Sequence, residues 1–149
     1  MQAPSHRYSV QADGFLTGVT VVSAGGVPPL QVAASPQVEG SAGLWTPETL
    51  LLAAVADSFV LTFRALSQAD GFSWQRLQCD VEGALSVADA APHFARMGIR
   101  VDLTVLNEHD IVRALELLHR AQRACAVVNS LRSARTLEVR IHGQPALAA

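Results

Sequence analysis

Hydrophobic and polar positions alternate with a period of two near the start of the chain, over residues 6–37. Turn signals at Asp13-Gly14 and Gly25-Gly26 divide this region into three parts. Alternating runs rich in Val, Thr and Ser between such turns are typical of short antiparallel strands. The pattern therefore predicts three strands in a meander.

The pattern changes over residues 46–69, where apolar side chains occur on nearly every side of a helical projection. Thr46 offers a side-chain oxygen as the N-cap, Pro47 fits the first helical position, and Glu48 places negative charge at the positive end of the helix dipole. Asp70-Gly71 is a suitable helix end. A helix that is apolar all round must be buried centrally or at a subunit interface.

The remaining elements follow from the same two periodicities. They are strands over 74–87, 94–105 and 136–142, and helices over 108–123 and 125–131. Asn107 is the predicted N-cap of the helix over 108–123. The order βββ-α-ββ-αα-β lacks the repeated βαβ units of a parallel sheet and predicts an α+β fold.

Length and composition favour one domain, residues 1–149, because 149 residues of which 50% are hydrophobic can bury a single core. The longest apolar stretch, residues 50–55, is too short to span a bilayer, and no basic region followed by an apolar block precedes it. We therefore expect no membrane span and a cytoplasmic location. A net charge of −2 and the absence of lysine argue against a general nucleic-acid binder.

Cys79 and Cys125 are the only cysteines, and the five histidines show no ligand spacing, so we expect no metal and no cofactor. Alternation places Cys79 on the same strand face as Leu77 and Val81, which indicates a small buried hydrophobe. Cys125 has two interpretations that the pattern leaves open: a buried structural thiol and a redox-active one.

Two distant segments, residues 46–59 and 124–131, together resemble the active-site helices of the OsmC/Ohr family of thiol-dependent hydroperoxide reductases. The resemblance rests on the Pro47-Glu48 helix start, the alanine-rich helix through Phe59, and a turn that begins at Cys125 between a helix and the last strand. It covers about residues 7–142. It implies an intertwined homodimer in which two long central helices pack against wrapped antiparallel sheets, with sites at the subunit interface.

The resemblance also implies a catalytic mechanism. In such enzymes a first cysteine attacks the hydroperoxide as a thiolate and becomes a sulfenic acid, and a second cysteine captures it as a disulfide that an external dithiol reduces. An arginine from the N-terminal strands lowers the pKa of the first thiol and is held by the glutamate of the helix start. By position, this glutamate is Glu48 and the second cysteine is Cys125.

This chain departs from that pattern at the first cysteine, whose position is occupied by Ser58, ten residues after Glu48. A hydroxyl lacks the acidity and soft nucleophilicity needed to attack an O–O bond, so the usual two-cysteine cycle cannot run. The strand arginine is missing too, because no arginine or lysine lies between Arg7 and Arg64. In the turn, Ala126 replaces the usual proline and Val128 replaces the usual serine.

Several alternatives remain open from the residues alone. Glu48 is either a residual site carboxylate or a first-turn residue that the helix dipole stabilises. Asp57 reaches solvent, pairs with an arginine such as Arg123, or is retained for function. A Ser58 hydrolase would need a contact across a dimer, since Glu48 lies about 15 Å away along the helix.

The sequence thus predicts an OsmC-like relative of the hydroperoxide reductases with candidate site residues Cys125, Ser58 and Glu48; if active, it is a peroxidase using Cys125. The expected partners are a second copy of the chain, an organic hydroperoxide and a dithiol reductant. The competing interpretations are a non-catalytic protein that holds a hydrophobic small molecule at the dimer interface and a structural dimer.

Overall fold

The computed structural model describes residues 6–35, 42–88 and 91–143. The chain forms two compact units, an N-terminal unit that ends at Leu51 and a C-terminal unit that begins at Leu52. Residues 36 and 37 of the predicted strand region lie outside the described residues. The expectation of one domain over the whole chain stays a prediction.

The N-terminal unit contains the predicted meander. Strands β1 (Val10–Asp13), β2 (Thr20–Ala24) and β3 (Leu30–Val32) form an antiparallel sheet in the order β1-β2-β3. Gly26 has φ of 81° in the turn before β3, a backbone conformation that glycine adopts without steric cost. The strand prediction for this region is therefore confirmed.

The C-terminal unit contains a second sheet, whose strands are β4 (Trp74–Ser86), β5 (His93–Val105) and β6 (Ala134–Gly143) in that order. Strands β4 and β5 form the predicted antiparallel hairpin. Strand β6 runs parallel to β5, which differs from the expectation of antiparallel sheets. The reason is that helices between β5 and β6 return the chain to the starting end of β5, as a crossover connection does.

The described residues also form three α-helices: α1 (Pro47–Ala69), α2 (Ile111–Ala124) and α3 (Ala126–Asn129). A short 3₁₀ turn, Glu108–Asp110, precedes α2, so the predicted helix over 108–123 is divided. Asn107 makes no side-chain cap bond to the backbone; its amide donates to the Asp110 carboxylate at 3.2 Å. The α+β fold and the order of elements are confirmed.

Helix α1 begins as its sequence predicts. The N–H of Thr49 donates to the Thr46 hydroxyl at 3.2 Å, and the N–H of Thr46 donates to the Thr49 hydroxyl at 2.9 Å. This reciprocal pair satisfies backbone donors that a helix start leaves free. The first turn is thereby fixed, and Glu48 lies within it.

The core of the C-terminal unit lies between one face of the second sheet and the helices. Its fully buried members include Phe59 and Phe63 of α1, Leu118 of α2 and Leu103 of β5. By length and composition alone, α1 is long and apolar enough to cross a membrane. The core helices of globular proteins share this property. Here one stripe of α1 packs into the core.

Candidate active site

Ser58 lies in the middle of α1, next to the buried stripe formed by Val55, Phe59 and Phe63. It is partly buried, and its carbonyl accepts a 2.7 Å hydrogen bond from the Thr62 hydroxyl one turn later. Because α1 is held against the core by its aromatic residues, the position of the Ser58 side chain is determined by helix packing.

Cys125 lies at the corner between α2 and α3. Its backbone is extended, with φ of −68° and ψ of 110°, so the two helices change direction there. Its N–H donates to the Ala121 carbonyl at 2.9 Å, and its carbonyl accepts from the N–H of Asn129 at 3.0 Å. Both backbone groups are satisfied, and the side chain is fully buried, with an exposed fraction of 0%.

The two side chains meet across the core. The Sγ atom of Cys125 donates a hydrogen bond to the Oγ atom of Ser58 at 3.1 Å. The structure therefore brings together two of the three predicted site residues. Where the resemblance places a pair of thiols, this chain pairs one thiol with one hydroxyl, and such a pair cannot form a disulfide.

The segment that carries Cys125 is held by three polar side chains. The Asn129 amide donates to the Arg123 carbonyl at 2.9 Å, which satisfies an orphan carbonyl at the end of α2. The Ser130 hydroxyl donates to the Ala126 carbonyl at 2.8 Å, and the Arg135 guanidinium donates to the Val128 carbonyl. Asn129 therefore stabilises the corner, and its amide does not point at the thiol.

Cys79 is the site neighbour that sequence reasoning overlooked. It lies on the core face of β4 and packs against the same hydrophobic cluster that contains Cys125. Burial first, then the coulombic effect of Asp80, and then that of Cys125 raise the pKa of the Cys79 thiol to about 12. The period-two alternation correctly placed Cys79 inward, but nothing in the pattern indicated that Cys125 lies close enough to influence it.

Glu48 lies in the N-terminal unit, in the first turn of α1. Its Oε2 atom is buried and has no hydrogen-bond partner among residues 6–35, 42–88 and 91–143. Burying a carboxylate oxygen without a hydrogen-bond donor costs free energy. Among these residues, the side chain of Glu48 therefore lacks the donor that would normally pair with it. Asp57 on the same helix is exposed, which agrees with the alternative that it reaches solvent.

Charge around the thiol is sparse. No arginine side chain in the described part of the chain hydrogen-bonds the Cys125 sulfur. Within the same ranges, no group of three or more His, Cys, Asp or Glu side chains could hold a metal ion. The chemistry that this arrangement supports is that of one thiol beside one hydroxyl.

A second feature, an open depression of about 570 Å³, lies on the outer face of the second sheet. Its charged lining residues are Asp80, Glu82, Arg100, Asp102, Glu138 and Arg140. Acidic and basic side chains alternate across this face, and Arg100 pairs with Glu82. Cross-strand charge pairs of this kind are typical of a solvated sheet face, so the Ser58–Cys125 pair is the stronger candidate.

Comparison with protein families gives a match to one family model, described as OsmC-like protein, over residues 40–140. The match includes α1, both cysteines and most of the second sheet. No curated protein sequence matches the chain.

Solved structures with the same fold include an OsmC-like protein of unknown function from Vibrio cholerae, with a TM-score of 0.82 and 14% identity, covering 91% of this chain and 100% of that chain. An organic hydroperoxide resistance protein from Elizabethkingia anophelis has a TM-score of 0.77 and 13% identity, covering 96% and 100%. The organic hydroperoxide resistance protein OsmC from Legionella pneumophila has a TM-score of 0.74 and 19% identity, covering 94% and 99%. At these identities, the similarity establishes the fold.

Proposed function

The chain belongs to the OsmC-like protein family, and from that premise we propose that it reduces organic hydroperoxides through one thiol, Cys125, with an external thiol as the reductant. The observation that supports this function is the 3.1 Å contact between the Cys125 sulfur and the Ser58 hydroxyl. It places the remaining thiol beside a group that can donate as well as accept a hydrogen bond.

The reaction begins with ionisation of the Cys125 thiol, because the thiolate is the nucleophile. In the resting state the thiol donates to Ser58. When the sulfur loses its proton, the Ser58 hydroxyl rotates and donates to the thiolate, a charge-assisted hydrogen bond. The thiolate then attacks the terminal peroxide oxygen, and the O–O bond breaks. The departing alkoxide takes up the proton that the thiol released and leaves as an alcohol, while Cys125 becomes a sulfenic acid that an external dithiol reduces, with release of water.

We further propose that the working form is a homodimer in the cytoplasm. The outer side of α1 presents apolar residues to solvent, among them Leu61 with 47% of its surface exposed. A long helix that is apolar on both sides needs a second surface to cover it. The presence of two free cysteines is consistent with a reducing compartment.

The test is consumption of an organic hydroperoxide by the purified protein with dithiothreitol or dihydrolipoamide as reductant. The wild type, Cys125→Ser and Ser67→Ala are compared. Ser67 is a buried serine on α1 that donates to the Phe63 carbonyl at 2.7 Å. Ser67→Ala therefore removes one small polar group from the core and leaves the Cys125 thiol in place. Turnover is expected in the wild type and in Ser67→Ala and lost in Cys125→Ser. Absence of turnover above buffer in the wild type refutes the proposal.

A second candidate function is the binding of a hydrophobic small molecule at the dimer interface. The observation that favours it is the complete burial of Cys125, together with the exposed apolar side of α1. Mass spectrometry of an organic extract of the purified protein tests this function. A stoichiometric apolar compound supports binding, and its absence from extracts of protein isolated under native conditions argues against it.

A further inference from the structure

The two cysteines of this chain, 46 residues apart in sequence, meet in one hydrophobic core. Cys125 is a fully buried member of the cluster, and Cys79 is partly buried and packs against it. Since these are the only cysteines in the sequence, the core of the C-terminal unit contains every thiol of the protein.

Helix packing locates Cys79 relative to Ser58. A Cβ atom added to Gly83 on β4 would lie 3.0 Å from a methyl group of Leu52, near the start of α1. Further along α1, the ring centroids of Phe63 and of Trp74 on β4 are 5.4 Å apart. Helix α1 therefore runs antiparallel along the core face of β4.

Cys79 and Ser58 both lie between these two contacts. On β4, Cys79 lies between Trp74 and Gly83, and on α1, Ser58 lies between Leu52 and Phe63. The Cys125 sulfur is 3.1 Å from the Ser58 hydroxyl, which brings it to the same region of the core.

Electrostatics gives independent support for this proximity. The pKa of the Cys79 thiol is raised first by burial, then by Asp80, and last by a coulombic effect of Cys125. Together with the packing contacts, this places the two cysteines in the same region of the core, and Asp80 directly follows Cys79 on β4.

We propose that Cys79 is the thiol that captures oxidised Cys125, so that the chain forms an internal Cys79–Cys125 disulfide in place of the disulfide that Ser58 prevents. The inference rests on the proposed function for its physiological oxidant, an organic hydroperoxide. It assigns to Cys79 a role as resolving thiol, distinct from that of a packing residue.

The step balances as follows. Cys125 has been oxidised by two electrons to the sulfenic acid, while the hydroperoxide has been reduced to an alcohol. As the Cys79 sulfur attacks the Cys125 sulfur, the S–S bond forms and the S–O bond breaks; the Cys79 proton passes to the departing hydroxide, which leaves as water. An external dithiol then reduces the disulfide through a mixed disulfide and returns both thiols.

The sequence makes the product easy to recognise. Cleavage after arginine places Cys79 in the peptide 77–96 and Cys125 in the peptide 124–132, so only a disulfide can join them. The wild type, Cys79→Ala and Cys125→Ser are treated with tert-butyl hydroperoxide with and without dimedone, which traps sulfenic acids. Non-reducing peptide mass spectrometry then identifies the products.

In the wild type we expect the joined peptides from a single chain. In Cys79→Ala we expect the dimedone adduct on Cys125 to accumulate, and in Cys125→Ser neither product. A wild type that accumulates the Cys125 adduct without the joined peptides refutes the proposal, and so does a disulfide formed only between two chains.

A parallel treatment with diamide, which oxidises thiol pairs without a peroxide, separates this proposal from the proposed function. Joined peptides with diamide, but no Cys125 oxidation by hydroperoxide, support the thiol pair and refute peroxide reduction. No joined peptides with either oxidant in the folded wild type refute the thiol pair. The diamide result on the wild type does not depend on whether Cys79→Ala folds.

Discussion

Cys125 and Ser58 lie 67 residues apart in sequence, and their side chains share a 3.1 Å hydrogen bond in the core of the C-terminal unit. The contact joins the corner between α2 and α3 to the middle of α1. The side-chain atom of residue 58 determines the chemistry of this contact. The oxygen of Ser58 accepts a hydrogen bond, whereas a sulfur atom there could form a disulfide with Cys125.

Ser58→Cys should therefore restore a two-thiol site. The new sulfur would face the Cys125 sulfur across a gap that needs only a small approach to reach disulfide length, about 2.05 Å. We expect the oxidised variant to form a 58–125 disulfide and its hydroperoxide turnover to rise above that of the wild type. Peptide mass spectrometry and the dithiol-coupled assay measure the two effects.

Ser67→Cys is the matched control for that experiment. Ser67 is buried on the same helix, and its hydroxyl donates to the Phe63 carbonyl at 2.7 Å, whereas the Ser58 hydroxyl accepts from Cys125. It should gain neither a disulfide to Cys125 nor turnover. Equal gains in both variants would show that the position of the added thiol does not matter and would contradict the site geometry.

The raised pKa of Cys79 predicts a dependence on pH. Burial is the largest cause of the shift, followed by Asp80 on the same strand and then by Cys125. Alkylation of Cys79 should rise about tenfold per pH unit above neutral, since only the thiolate reacts. Iodoacetamide labelling of the peptide 77–96 as a function of pH measures this rate; a plateau near the ordinary thiol pKa of 9.0 would contradict the burial effect.

The same shift links pH to stability. The folded state retains the Cys79 proton until the pH approaches 12, whereas an unfolded chain releases it near 9.0. The contribution is therefore fully present below pH 9.0 and is lost as the pH rises toward 12, because the folded state then binds more protons than the unfolded state. Urea unfolding should show a smaller alkaline loss in Cys79→Ala than in the wild type.

Leu61→Arg should convert the proposed dimer into a monomer. Leu61 is 47% exposed on the outer apolar side of α1, and a charge there would have to be buried when a second copy covers the helix. Leu115→Arg on α2 is the control, since Leu115 is similarly exposed at 39%. Light scattering after size-exclusion chromatography measures the mass; the same mass for both variants and the wild type would contradict a dimer through α1.

Gly143→Ala should destabilise the C-terminal unit. An added Cβ atom would lie 2.6 Å from the Glu108 Cα atom, which is backbone of the 3₁₀ turn and cannot rotate away. Overpacking of this kind costs about 1–3 kcal/mol. Gly98→Ala is the control, because its Cβ atom would meet only the Thr136 hydroxyl at 3.7 Å. The free energies of unfolding from urea titrations compare the two; a similar loss in both would contradict the steric argument.

Local rules in the sequence determined the elements. Thr46, Pro47 and Asp70-Gly71 specify the ends of α1 through capping and turn chemistry, and period-two alternation specifies the strands and their inward faces. The choice of family rested on the Pro47-Glu48 start and the Cys125 turn, and the family match confirms it.

Only the tertiary structure decided how distant elements meet. Three features depend on how α2 crosses back over the sheet. They are the parallel direction of β6, the contact between Ser58 and Cys125, and the packing of both cysteines in one hydrophobic cluster. The periodicity of apolar residues indicates which face of a helix or strand is apolar, because this pattern is set by residues a few positions apart. It does not record which side chain lies opposite, because that depends on packing between residues far apart in the chain.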